Sequence, residues 1–275
     1  MQNNNSIFTK SQYVFLDTVL AKNYIHLDRV SIKYQSLKDA ISEPLKMVFL
    51  YGKPGTGKSM LLHKLREDIL EEGKNITLYE TPIMQENEFY NKIIKDIYKQ
   101  KEIENITFTN FIEFIEKNKM ENMPIVLLDE AQMYSEDFLE KIRLISDTGL
   151  MKFILALHKT QKEHVTTKSH FTTRVWKTIE LQNATKSELK IYIQKKLMQE
   201  NCFETANMFH TNSINLIYKI TKGNYRDTNK LLYTLFELYT IYLNHENMLS
   251  SKISTHTISN KLIEMSAIHT GLINA

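Results

Sequence analysis

The sequence predicts an α/β protein, a parallel sheet covered by helices on both faces and followed by a smaller all-helical domain. Three observations carry this. Short apolar runs alternate with amphipathic stretches as far as Leu181, the order that builds a parallel sheet with helices on both sides. A glycine-rich loop, Gly52 to Ser59, joins the first apolar run to a helical repeat. Beyond Leu181 the strand signal stops, and the chain repeats at helical spacing to its end.

The first strand is Met47, Val48, Phe49, Leu50 and Tyr51, a continuous apolar run suited to burial on both faces. Leu61, Leu62, Leu65 and Ile69 follow at helical spacing. Ile76 to Tyr79 makes a second strand, stopped by Pro82, with helical stretches after it around Phe89 to Tyr98 and Phe111 to Ile115. Ile125 to Leu128 makes the third, after Pro124. A helix containing Leu139, Ile142 and Leu144 leads to the fourth, Phe153 to Leu157, and Thr178 to Leu181 is a short fifth. Thr185 and Glu188 then form a capping box ahead of Leu189, Tyr192, Ile193 and Leu197. Further helices are expected across Ser213 to Ile220, Thr228 to Leu243 and Thr257 to Ile268. The expected organisation is a polar N-terminal segment and lead-in helix at 1–23, an α/β domain at 24–182 and a helical domain at 183–275.

A chain of 275 residues with 42% hydrophobic content can bury a sizeable core. Its net charge of +3 argues neither for nor against nucleic acid, which is met by concentrated basic surface. One cysteine, Cys202, allows no internal disulfide and no cysteine metal site. Met1 to Lys10 is polar and asparagine-rich, without an apolar segment of the signal-peptide type. Thr234, Glu237 and Thr240 interrupt the apolar stretch from Leu231 to Leu243, which reads as a packed helix and not a membrane span. The expected location is the cytoplasm.

Gly52, Lys53, Pro54, Gly55, Thr56, Gly57, Lys58 and Ser59 fit the phosphate-binding pattern G-x-x-x-x-G-K-[ST]. Three of the chain's seven glycines fall within it. Backbone N–H groups can close around phosphate only where side chains do not intervene, and the following helix, entered through Met60, adds its positive N-terminal end. The pattern therefore implies a nucleoside triphosphate, with ATP and magnesium as the ligands. Lys58 is placed to reach the β and γ phosphates and the Ser59 hydroxyl to coordinate magnesium. At the end of the third strand, Asp129 and Glu130 form a Walker B pair. Asp129 is the second metal residue; Glu130 is the base that orients and deprotonates the attacking water. Arg174, before the fifth strand, and Arg226, after Gly223, are candidates to stabilise charge in phosphoryl transfer.

With these motifs, Asp129-Glu130-Ala131-Gln132, the segment Leu139 to Leu144 and the stretch Arg174 to Leu181, the chain resembles AAA+ ATPases of the P-loop NTPase class. Within them it is similar to the ATPase domain of the general secretion pathway protein A family, which assists secretin assembly. The resemblance runs from Tyr24 to Ile268 and takes in Gly223, Arg226 and Asn229 as a sensor 2 segment of a helical lid. It implies that Arg174 is a finger toward a neighbouring subunit's ATP, that Arg226 is the sensor 2 residue, and that Thr81 is the polar residue restraining Glu130. A homo-oligomer formed on ATP binding is implied with them. Where the family carries glycine and glutamine after its fourth strand, this chain has His158 and Lys159, and His158 reads as structural. Tyr225 stands where proline is usual.

The first functional reading is an ATP-hydrolysing component of an envelope machine for secretion, pilus assembly or DNA uptake, working through a protein partner that recruits it to the inner membrane. A second is a nucleic-acid-associated regulator of the transposition or replication type. Lys186, Lys190, Lys195 and Lys196 lie within one lid helix, where a solvated face is the plainer reading. The third is a nucleotide-switched scaffold with negligible turnover.

Overall fold

The computed structural model describes residues 2–158, 177–244 and 256–274, with the backbone alone at 2–6 and 244. Five strands form one sheet: β1 (Met47–Gly52), β2 (Ile76–Tyr79), β3 (Ile125–Leu128), β4 (Lys152–His158) and β5 (Lys177–Leu181). Every pairing is parallel, and the order across the sheet is β2-β3-β4-β1-β5. Before and between the strands lie α1 (Gln2–Val14), α2 (Asp28–Ser42), α3 (Lys58–Glu71), α4 (Glu86–Asp96), α5 (Phe108–Lys117) and α6 (Glu136–Asp147). The C-terminal helices are α7 (Lys186–Gln199), α8 (Phe203–Asn207), α9 (Thr211–Thr221), α10 (Tyr225–Asn244) and α11 (Asn260–His269).

The period-two geometry of strands divides the core in two. Phe49, Val126, Leu128, Phe153 and Leu155 point to one face, against Phe89, Tyr90, Phe111 and Ile142 of α4, α5 and α6. Val48, Leu50, Leu127, Ile154 and Ala156 point to the other, against Leu37 of α2 and Leu61, Leu62 and Leu65 of α3. Both sets are fully buried, so the strands tolerate no polar side and read as unbroken apolar runs. Two expectations shift in detail. Leu144 is 39% exposed, and Ile145 takes the core position instead, one residue on around the helix. β4 begins one residue early, at Lys152, whose buried amine donates to the carbonyls of Ala40, Ile41 and Glu43 at 3.1, 2.5 and 2.6 Å. It thereby satisfies carbonyls that the end of α2 would otherwise leave orphaned.

A third core belongs to the C-terminal helices. Leu189, Ile193, Ile217, Leu231, Leu235, Phe236 and Ile263 are fully or nearly fully buried in it. The N-terminal segment joins it. Phe8 stacks on Tyr239 at 4.7 Å and Phe15 on Phe236 at 5.9 Å, while Ser11 shares a buried 2.8 Å hydrogen bond with Thr205. An asparagine-rich stretch thus carries an apolar stripe of widely spaced aromatics, which composition alone conceals. The capping box at Thr185 and Glu188 forms as read, with Thr185 accepting from the Glu188 N–H. Arg29 at the start of α2 donates to Gln182 and Glu188, tying the sheet to the first lid helix. Among the described residues no helix is long and apolar enough to cross a membrane.

Candidate functional site

The site lies at the carboxyl ends of β1, β3 and β4: Gly52 pairs with His158, while Leu128, the last residue of β3, pairs with Leu155, three residues before the end of β4. The loop from Gly52 to Gly57 is shaped by its glycines. Gly55 and Gly57 have φ of +77° and +91°, a region side chains disfavour. A Cβ on Gly52 would stand 2.6 Å from the Leu181 carbonyl oxygen, so the strand end fits only without one. Thr56 closes the turn by donating to the Lys53 carbonyl at 2.8 Å. Gly57 caps α3, whose first turn holds Lys58, Ser59 and Met60. The Lys58 amine is buried and donates to the carbonyls of Gly52 at 3.1 Å and Lys53 at 3.3 Å. Burial lowers its pKa, against the pull of Glu130 and Asp129.

Across the cleft, Asp129 is buried and its carboxylate accepts the Glu130 N–H at 2.9 Å. Glu130 itself sits in the left-handed region, at φ +49°. That costs of order 1–2 kcal/mol for a residue with a side chain and turns the carboxylate toward the end of β4. There Glu130 Oε2 is 3.1 Å from His158 Nε2 and accepts a hydrogen bond from the Gln132 amide. Gln132 also accepts the His158 N–H at 3.4 Å. Carboxylate, imidazole and amide form a closed set.

The lid completes the cleft from above. Asn224 donates to the Pro54 carbonyl at 2.8 Å, and the Tyr225 N–H donates to the Gly55 carbonyl at 3.1 Å. Arg226 follows on the first turn of α10, exposed and 3.5 Å from Asp17. The space of the cleft, open solvent included, is about 950 Å³. Gly57, Lys58, Glu130, His158, Tyr24, Val30, Tyr192 and Lys196 are among the residues that line it.

A family model described as an AAA domain matches residues 43–164, the segment from the end of α2 past β4. The described residues have the AAA+ P-loop NTPase fold, as the solved structures show. The Aeropyrum pernix ORC2 protein in ADPNP-ADP complexes superposes with a TM-score of 0.64 at 12% identity, over 94% of this chain and 71% of that one. The ORC1 protein of the same organism, in complex with DNA, gives 0.62 at 12% identity, over 94% and 69%. Domain III of the Thermotoga maritima replication initiation protein DnaA gives 0.55 at 14%, over 93% and 98%. No curated protein matches the sequence.

Of the residues read from the sequence, Pro54 to Met60 and Glu130 line this cleft, with Asp129 buried beside Glu130. The loop is a cradle whose glycines leave no room for a Cβ at two positions and whose Lys58 amine is buried near the acidic pair, which fits a magnesium-bound triphosphate. Ser59 and Asp129 are the residues that would hold the metal. Arg226 faces the same cleft from the lid. Arg174 lies outside the described residues.

Two readings change. Thr81 is exposed and lines a separate depression with Leu78, Glu80 and Lys92, so the restraint on Glu130 falls to Gln132 and His158. His158, read as structural, is part of the site. Sequence reasoning missed this because the contact crosses from the second residue after β3 to the last residue of β4, and only the pairing of the two strands brings them together. Asn224 and Asp17 were also missed. The first carries a signal, an asparagine between Gly223 and the helix start, where side-chain caps are favoured. The second carries none.

Proposed function

We propose that this protein binds Mg-ATP in the cleft between the phosphate loop and the lid, hydrolyses it, and acts on nucleic acid in the manner of a replication-initiator-type regulator. The observation that carries the nucleotide half is that Lys58, Glu130 and Arg226 line one cleft at the carboxyl ends of the strands, with Asp129 buried beside Glu130. Lys58 meets the phosphates once its bonds to the Gly52 and Lys53 carbonyls are exchanged for phosphate oxygens. Glu130, held by Gln132 and His158, takes the proton of the attacking water. Magnesium, when bound, neutralises developing charge on the phosphoryl oxygens. Arg226 leaves its exposed contact with Asp17 to meet that charge from the lid. Arg174 is proposed to act on the ATP of a neighbouring copy, so assembly on ATP binding belongs to the same proposal.

The nucleic-acid half is supported by the solved structures of similar fold, which include an ORC1 protein in complex with DNA and a domain of DnaA. The lid lysines add little to it. Lys196 is buried and the Lys195 amine donates to the His26 carbonyl at 2.9 Å, which leaves Lys186 and Lys190 exposed on α7 without those two. None of the three similar structures is an envelope protein, and the secretion reading draws no support from them.

The test is steady-state ATP hydrolysis across protein concentrations, with and without duplex DNA at several salt concentrations, with Lys58→Ala as the blank. Stimulation by DNA that fades with added salt is the expected result. A rate that rises with protein concentration and ignores DNA returns the envelope reading to first place. A wild-type rate equal to the blank leaves a nucleotide-switched scaffold.

A further inference from the structure

The cleft that the phosphate loop lines also holds a positive charge with no counter-charge among the described residues. Lys196 of α7 is 8% exposed, and its amine lies 5.5 Å from the centres of both the Phe15 and Tyr192 rings. Its hydrogen bonds are long: 3.3 Å to the Tyr192 hydroxyl and 3.4 Å to Asn229 Oδ1. Those two groups already satisfy each other, since Tyr192 donates to Asn229 Oδ1 at 2.8 Å. No carboxylate among the described residues pairs with the amine. Asp17 is the acid that acts on it from a distance, and Asp17 stands beside Arg226. Burial pushes the pKa of Lys196 down to about 8. An ammonium has three N–H donors, and the third has no recorded acceptor among the described residues.

A buried charge without a partner costs several kcal/mol. If Lys196 only braced α7 against α10, the Tyr192–Asn229 bond would serve without it. The amine instead lines the nucleotide cleft beside apolar walls from Tyr24, Ile25, Leu27 and Val30. Such a site grips a flat ring by its faces and reads it with a few polar groups. We propose that Lys196 is a specificity-determining residue, donating an N–H to a hydrogen-bond acceptor on the nucleobase of the bound triphosphate. The inference rests on the nucleotide reading above. Because an ammonium donates and never accepts, its partner is a ring nitrogen or a keto oxygen and not an exocyclic amino group.

Calorimetric titrations with Mg-ATP and with magnesium tripolyphosphate, which has the phosphates and no base, separate the possibilities. Wild type, Lys196→Met and Lys58→Ala are compared, with thermal unfolding recorded in the absence of ligand. Lys196→Met is expected to lose about 10- to 100-fold in Mg-ATP affinity, the range for a hydrogen bond to a charged group. Its affinity for tripolyphosphate stays within about twofold of wild type, and its unfolding temperature does not fall. Equal losses for both ligands, an unchanged Mg-ATP affinity, or a lower unfolding temperature with weakened binding of both would overturn the assignment. If the methionine variant does not fold, Lys196→Gln, with N–H donors on a shorter arm, is held to the same directions. Wild type and Lys58→Ala that both fail to bind Mg-ATP defeat the nucleotide reading itself. Binding lost in Lys58→Ala but intact in Lys196→Met defeats this inference alone.

Discussion

Glu130 occupies a backbone conformation that costs energy, and its carboxylate is held by two neighbours before any substrate arrives. Strain of this kind persists where the surroundings over-determine it. Glu130→Gln is expected to keep Mg-ATP affinity while turnover drops by about 10²–10⁴, the range for a positioned base; turnover equal to wild type would remove Glu130 from that role. His158→Ala leaves Glu130 with Gln132 alone, and its expected signature is a fall of about tenfold in kcat with unchanged Mg-ATP affinity. A fall in affinity with kcat intact would mark His158 as a nucleotide contact instead. The loop and the acidic pair were legible because their chemistry is local: five residues of strand, a turn that only glycine makes, and a carboxylate at a strand end. His158 was not. Its meaning depends on a partner 28 residues away in sequence, by the numbers of Glu130 and His158, and on a register that no local pattern states.

Among the elements, the phosphate loop and α10 meet closely. A Cβ on Gly55 would lie 2.2 Å from Asn224 Oδ1 and 2.9 Å from the Arg226 Cβ. On Gly73, whose φ is +74°, a Cβ meets nothing within 4 Å. The pair separates backbone strain from collision. Gly73→Ala should cost about 1 kcal/mol, the left-handed penalty, and Gly55→Ala about 1–3 kcal/mol more, compared by urea unfolding. Equal costs would show that Asn224 moves aside freely. The N-terminal helix makes the second element-scale point. Phe15 is 1% exposed, so Phe15→Ala should destabilise by about 3–5 kcal/mol; a change under about 1 kcal/mol would show that α1 is not docked in solution. Sequence read the strands almost to the residue, since burial on both faces leaves an unbroken apolar run. It read the N-terminal segment poorly, because Phe8 in a polar helix and Phe15 just beyond it show their value only once a complementary surface exists.

Over the whole molecule, buried cations set a pH dependence. Lys196 titrates near 10.5 when unperturbed and at about 8 when folded. A depressed folded value means that the folded state binds fewer protons across this window. The contribution of Lys196 is therefore fully present above about 10.5 and is lost as pH falls through about 8. Lys196→Met should be more stable than wild type at neutral pH, and that advantage should shrink by up to about 3 kcal/mol toward pH 10, as denaturant midpoints would record. An advantage constant with pH would mean that the amine is not desolvated. Fold class and the order of the elements were legible at this scale, because alternation followed by an all-helical tail allows few arrangements. Which helices share a core was not, since pairing of the two chain ends is a long-range property.

Asn224 lies at the start of a helix 20 residues long, which at 1.5 Å per residue makes an arm of about 30 Å. The near end of that arm is hydrogen-bonded to Pro54 and Gly55, the apex of the phosphate loop. Toward its far end, Tyr239 stacks on Phe8 and its hydroxyl accepts the Ser259 N–H. A rotation of about 10° at the loop, as phosphate displaces the carbonyl contacts of Lys58, would swing the far end by about 5 Å given that length. The N-terminal helix and α11 would travel with it. Such a rotation would couple a small displacement at the loop to a large one at a surface that combines the N-terminal helix and α11.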